Sequence, residues 1–132
     1  MIKRIEHVAV VVKNLDAAMK QWETLLGVKA TPVKVLPTVK LAMLNFPGGA
    51  YVELVEPLGS EGLSAQHLAK YGEGIQHIGF EVDSVDAELE RCGKAGAELV
   101  TPKARPAMDY MIGFIKTKPG DGVSLEFLQK VK

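Results

Sequence analysis

Two hydrophobic periods alternate along this chain, and they do so twice in the same order. Ile5 to Val12 is short, β-branched and almost wholly apolar, the pattern of a largely buried strand. Alternate strand residues share a face, so Ile5, His7, Ala9 and Val11 point one way and Glu6, Val8, Val10 and Val12 the other. Asn14 then stands as a helix N-cap, with Asp16 in the first turn, where the helix dipole favours an anion. Leu15, Ala18, Met19, Trp22 and Leu26 recur at helical spacing, and Gly27 stops the run. Core packing accounts for Trp22, the sole tryptophan.

Short strands follow. Val28 to Val35 is one, broken by Pro32, and Val39 to Phe46 is the next. Pro47-Gly48-Gly49 makes a hairpin turn, and Ala50 to Glu56 returns. Within that last strand Tyr51, Glu53 and Val55 share a face. Residues 57 to 74 read as a connector, with a helix between Gly62 and Gly72 carrying Leu63, His67, Leu68 and Tyr71. The alternation then resumes: a strand from Ile75 to Val82, with Ile75, His77, Gly79 and Glu81 on one face. Ser84 caps a helix with Val85, Leu89 and Cys92 at helical spacing. Strands are expected at Ala97 to Thr101, Tyr110 to Thr117 and Val123 to Gln129, with a link from Pro102 to Asp109 and a turn from Lys118 to Gly122.

The repetition extends to residue identity. IEHVAVVVKNLDA, Ile5 to Ala17, aligns without a gap on IQHIGFEVDSVDA, Ile75 to Ala87, at an offset of 70 residues; His7 falls on His77 and Asp16 on Asp86. Further on, YVEL at Tyr51 matches SLEF at Ser124, which places Glu53 on Glu126. The expected architecture is α+β: one domain, 1–132, made of two βαβββ modules (about 1–57 and 75–132) with connector 58–74 and pseudo-twofold symmetry.

At 132 residues, 47% hydrophobic and 24% charged, the chain is long enough to bury a core without staples. Sixteen basic residues cancel sixteen acidic ones, so no electrostatic footprint for nucleic acid or an anionic membrane is present. The single cysteine, Cys92, excludes an intrachain disulfide and fits a reducing, cytoplasmic setting, and no apolar run is long enough to span a bilayer. Lys103, Arg105 and Lys118 read as solvated loop charges.

Candidate chemistry lies in the repeat. A single histidine or glutamate in an apolar strand is usually a satisfied structural residue. Here, however, two of only three histidines and two strand glutamates hold equivalent positions. His67, in the connector, lies outside the repeat and reads as a helix-surface residue. Burying an unpaired carboxylate costs several kcal/mol, on the order of the net stability of a small domain. A shared metal ion compensates two carboxylates and two imidazoles at once. His7, Glu53, His77 and Glu126 are therefore candidate ligands for a divalent Co, Ni, Mn or Zn ion. Ala9 and Gly79, two positions past each histidine, leave room beside it. No Ser-His-Asp order, CxxC, P-loop or GxGxxG points to another chemistry.

Paired βαβββ modules with His, Glu, His and Glu resemble the vicinal oxygen chelate superfamily, which includes glyoxalase I, extradiol dioxygenases and antibiotic-resistance proteins. Within it the segments IEHVAVVVKNLDAA, YVELVEPLGSEG, KYGEGIQHIGFEVDSVDAEL and GVSLEFLQ, spanning most of the chain, are most similar to the methylmalonyl-CoA epimerases. That resemblance places the metal ligands on His7, Glu53, His77 and Glu126. It implies an isomerase acting on an acyl-CoA thioester by C2 proton abstraction through a metal-stabilised enolate, with Glu126 and Glu53 as the acid/base residues. A homodimer is implied as well. The chain departs from the epimerases at Gln76, where they commonly carry a second histidine, and at Lys116-Thr117-Lys118-Pro119, where they commonly carry His-Pro-Lys. Leu41 stands where some carry an additional acid/base glutamate. A glyoxalase I-like lactoylglutathione lyase is the alternative enzyme, and it would need no carboxylate at that position. A non-catalytic binding protein of the bleomycin-resistance type is the third reading, and proteins of that type generally lack the complete ligand set.

Overall fold

A computed structural model of the chain describes residues 1–118 and 121–131. Its elements follow in the order β1 (Ile2–Val11), α1 (Leu15–Leu26), β2 (Lys34–Val35), β3 (Val39–Asn45), β4 (Tyr51–Pro57), α2 (Leu63–Tyr71), β5 (Gly74–Val82), α3 (Val85–Lys94), β6 (Arg105–Ala107), β7 (Tyr110–Lys118) and β8 (Asp121–Lys130). The α+β reading with two successive βαβββ modules holds. Two compact units are formed, His7–Gln76 and Met1–Glu6 with His77–Lys132, so the first residues of β1 belong with the second module. Strand order is β2-β3-β4-β1 in the first unit and β5-β8-β7-β6 in the second. Among the described residues no helix is long and apolar enough to cross a membrane.

Capping explains the sharp helix boundaries. Asn14 and Ser84 occupy equivalent positions, each extended and each accepting a hydrogen bond from the backbone N–H three residues on, at Ala17 and Ala87. Gly27 closes α1 in the left-handed region at φ 68°, which a residue with a Cβ adopts only at a cost. Each helix covers one face of its own strands. In the first unit α1 lays Leu15 and Ala18 on Val10, Val12, Ala42, Leu44 and Leu54, with Trp22 partly buried at the margin. In the second, Val85, Leu89 and Cys92 of α3 pack on Val82, Ile115 and Phe127. Both clusters use the strand residues that alternate with the histidines and glutamates, so the other face of each strand set is left for polar chemistry.

Two expected strands shrink. Val28 to Val35 is reduced to an isolated bridge at Ala30 and the two-residue β2. Ala97 to Thr101 forms no strand, only a bridge between Leu99 and Ile115; the edge strand is instead Arg105–Ala107, inside the expected link. Apolar content suggested a strand in both places, but Pro32 interrupts the first, and in the second the successive N–H groups of Val100 and Thr101 both donate to the Phe114 carbonyl, which breaks the ladder. Pro106 is tolerated within β6 because β6 is an edge strand. Pro119 and Gly120, at the centre of the expected β7–β8 turn, lie outside the described residues.

Close packing between α3 and β7 depends on Gly113. A Cβ built there would lie 2.8 Å from Leu89 Cδ1 and 3.0 Å from Val85 Cγ1, both on side chains that are fully enclosed. The Gly113→Ala protein is expected to lose about 1–3 kcal/mol of stability through overpacking, measured as a lowered urea midpoint at unchanged m-value. An unchanged midpoint would show that α3 moves away freely.

Candidate functional site

The two histidines sit at the same place in their units. In the first, β1 runs parallel to β4 with His7 opposite Tyr51 and Ala9 opposite Glu53; in the second, β5 runs parallel to β8 with His77 opposite Ser124 and Gly79 opposite Glu126. Each glutamate therefore lies one step along the face from a histidine. The small residue that the sequence shows two positions past each histidine is the direct cross-strand partner of the glutamate. On the far side Glu53 is in register with Met43 and Glu126 with Phe114.

In the second unit the result is a close donor pair. His77 Nε2 lies 3.2 Å from Glu126 Oε1, and both side chains are more than nine-tenths buried. The His77 ring meets the Phe114 ring edge-on, with centroids 5.2 Å apart and planes at 86°. That contact fixes the imidazole orientation. In the first unit His7, 3% exposed, stacks on Tyr51 with centroids 5.0 Å apart and planes at 14°. Glu53 is half-buried on the same face. Buried imidazoles and a carboxylate are the donor set that a borderline divalent ion takes, and a 3.2 Å N–O separation lets one ion engage both His77 and Glu126 with small adjustments. The residues present therefore fit such an ion. No described buried side-chain nitrogen or oxygen lacks a hydrogen-bond partner.

Other residues singled out in the sequence take structural places. Leu41, 4% exposed, pairs with Val55 on the His7 and Glu53 face, so an apolar residue stands where an additional carboxylate was sought. The His67 ring lies against that of Tyr71 within α2, with centroids 5.1 Å apart. Arg105 and Lys103 are exposed, as expected of solvated charges, while the Lys118 side chain lies outside the described residues.

Pattern reading missed the residue before each histidine. Glu6 is 1% exposed and Gln76 4% exposed. A polar residue at the same point of both repeats, inside an apolar strand, was the available signal. Glu6 accepts a hydrogen bond from Tyr110, whose phenol is pushed up to about 12. Burial is the main cause, followed by that hydrogen bond and by the negative charges of Glu6 and Glu81, with Arg4 opposing. Arg4 is itself paired with Glu81, Nε to Oε1 at 2.8 Å. A folded-state pKa raised above the unfolded value of about 10 contributes stability that is present below pH 10 and lost as pH rises through about 12. Spectrophotometric titration of wild type against Tyr110→Phe is expected to show that the phenol removed is one ionising at about 12, and Glu6→Gln to bring it partway back. Loss of a tyrosine that titrates near the ordinary value of about 10 would contradict the Tyr110 environment described here.

Comparison with known proteins agrees with this geometry. A family model described as Glyoxalase/Bleomycin resistance protein/Dioxygenase superfamily matches residues 6–114. An ethylmalonyl-CoA/methylmalonyl-CoA epimerase of Cereibacter sphaeroides is 34% identical over 103 residues, covering 76% of each chain. The crystal structure of methylmalonyl-CoA epimerase from Mycobacterium tuberculosis superposes with a TM-score of 0.85 at 29% identity, over 99% of this chain and 90% of that one. A Streptomyces coelicolor methylmalonyl-CoA epimerase in which leucine replaces a glutamate, in complex with 2-nitronate-propionyl-CoA, gives 0.84 at 28% over 99% and 96%. The chain thus belongs to the glyoxalase/bleomycin resistance protein/dioxygenase superfamily, with the vicinal oxygen chelate fold, and is an isomerase of the epimerase type.

Proposed function

We propose that this protein is a metal-dependent epimerase of 2-substituted acyl-CoA thioesters, methylmalonyl-CoA first among them, and that it works as a homodimer. The observation that carries the reading is the buried His77–Glu126 pair at 3.2 Å on the strand face opposite the helix, repeated in register by His7 and Glu53. On this reading His7, His77 and Glu126, each buried and each offering one ligand atom, hold a divalent Co, Ni, Mn or Zn ion, with Glu53 as fourth ligand. Such an ion, when bound, supplies Lewis acidity toward a thioester oxygen and stabilises negative charge developing there.

This chain's own residues move the proton. On this reading Glu126 takes the hydrogen from C2 as a proton, the electron pair passes to the thioester carbonyl, and Glu53 returns a proton to the opposite face. Glu53 starts protonated and Glu126 ionised, and exchange of protons with solvent restores that state after turnover, so atoms and charge balance over the cycle and no redox partner is required. Leu41 supplies no carboxylate, so both transfers fall to the two glutamates. The Streptomyces coelicolor protein with leucine in place of a glutamate was obtained in complex with 2-nitronate-propionyl-CoA, so that replacement does not prevent acyl-CoA binding there. The lactoylglutathione lyase reading uses the same residues and is separated from this one by substrate.

His77→Ala is expected to remove stoichiometric binding of the divalent ion, and elemental analysis of the purified variant after metal loading checks this. One tightly held ion per chain in that variant would refute the ligand assignment. Glu126→Gln keeps an oxygen for the ion but loses the base, so C2 deuterium exchange into methylmalonyl-CoA, followed by NMR, is expected to fall at least roughly 10²-fold while metal content is largely kept. A wild-type protein that exchanges no C2 proton but turns over the glutathione hemithioacetal of methylglyoxal replaces the epimerase reading with the lyase one.

A further inference from the structure

The ring that meets His77 belongs to Phe114, and the backbone of Phe114 is held by a side chain rather than by a strand. β6 pairs with β7 only as far as Ile112, so the outer edge of β7 at Phe114 lies beyond it. The segment that ends at Thr101 takes the place of a strand there. The N–H groups of Val100 and Thr101 both donate to the Phe114 carbonyl, at 2.9 and 3.1 Å, and the Phe114 N–H donates to Thr101 Oγ1 at 3.2 Å. Both backbone groups of Phe114 thus turn outward, away from β8. Phe114 and its cross-strand partner Glu126 therefore face each other without exchanging hydrogen bonds, the arrangement that brings opposed side chains closest.

Thr101 is 8% exposed and Phe114 7% exposed, so the hydroxyl works where water does not readily replace it. Its removal leaves a buried N–H that regains an acceptor only if the backbone shifts. Such a shift reaches the donor pair in one step. The Phe114 ring stands edge-on to His77, with centroids 5.2 Å apart and planes at 86°. Rotation of an imidazole about its outer side-chain bond has broad minima, so packing rather than intrinsic preference fixes the ring plane. That plane decides where Nε2 points, and Nε2 stands 3.2 Å from Glu126 Oε1. A ligand set works only when its members are held to within about 0.5 Å and 10–20°.

We infer that Thr101 is a positioning residue for the site. Through its hydroxyl it holds the Phe114 backbone, and through the Phe114 ring it sets the plane of the His77 imidazole. The consequence for an ion rests on the metal-ligand reading of His77 and Glu126 above; the consequence for the imidazole does not.

Two readouts test this. In the metal-free protein, proton–carbon NMR correlation spectra follow the imidazole C–H resonances of His77, which sense the ring current of Phe114. Calorimetric titration with cobalt gives the affinity of the site, and melting curves report folding. Thr101→Val is expected to move the His77 resonances while leaving those of His67, on α2, in place. It should also weaken cobalt binding at least about tenfold, the scale for residues that support a metal ligand. Thr101→Ser keeps the hydroxyl and should restore both. Val85→Ala, a core truncation beneath α3 at a fully buried position, should lower the melting temperature but keep the wild-type cobalt affinity. His77 resonances that stay unmoved in a folded Thr101→Val protein would overturn the proposal. An equal loss of cobalt affinity in Val85→Ala would do the same, because the effect would then be one of general stability. A wild-type protein that takes up no cobalt removes the metal reading, and the resonances alone then decide the role of Thr101. If Thr101→Val folds poorly, Thr101→Ala decides by the same two readouts.

Discussion

The parallel pairing of the first and last strand in each module is the constraint on which the site depends. It sets His7 beside Tyr51 and Ala9 beside Glu53, and likewise His77 beside Ser124 and Gly79 beside Glu126. Parallel strands need a crossover, and the intervening helix and hairpin supply it. A slip of one residue in either pairing would turn the glutamate into the apolar cluster beneath the helix and the carboxylate away from the imidazole. The small partners Ala9 and Gly79 follow from the same geometry, because a bulky residue directly across from the carboxylate would crowd it.

Register also determines how the two faces divide their work. Helices α1 and α3 each claim the alternate strand residues, and the enclosed Leu15, Leu44, Leu54, Val85 and Leu89 make those faces dry. Removal of these apolar areas from water is the main favourable term in folding. The opposite faces are then free to carry ionisable groups in an otherwise apolar setting, where an imidazole and a carboxylate at 3.2 Å interact more strongly than in water. The dry core thus holds the strand positions, and the strand positions hold the donors.

Equivalence between the modules stops at a few cross-strand positions. Tyr51 stacks on His7 where Ser124 stands beside His77, and Asn45 is matched by Lys116. Glu6 and Gln76 are both buried, yet Glu6 holds Tyr110 through a hydrogen bond that contributes to raising the phenol pKa. A duplicated scaffold supplies two similar faces, and substitution at a few cross-strand positions makes them chemically different.

Much of this was legible in the amino-acid order. Hydrophobic period and the caps Asn14, Ser84 and Gly27 located both long helices, because local backbone groups at a helix end are satisfied by side chains within a few residues. The repeat itself located His7, His77, Glu53 and Glu126, since duplication marks equivalent positions independently of contact. The sequence alone did not locate the edge strands: β6 formed at Arg105–Ala107 rather than at Ala97–Thr101, because an edge strand is defined by its partner β7 and not by its own weak pattern. Nor did it show that Glu6 is buried against Tyr110, a pair separated by more than a hundred residues. The facing of Lys116 toward the Glu126 side was likewise decided by cross-strand register, which couples residues far apart in the chain through backbone hydrogen bonds that no local pattern encodes.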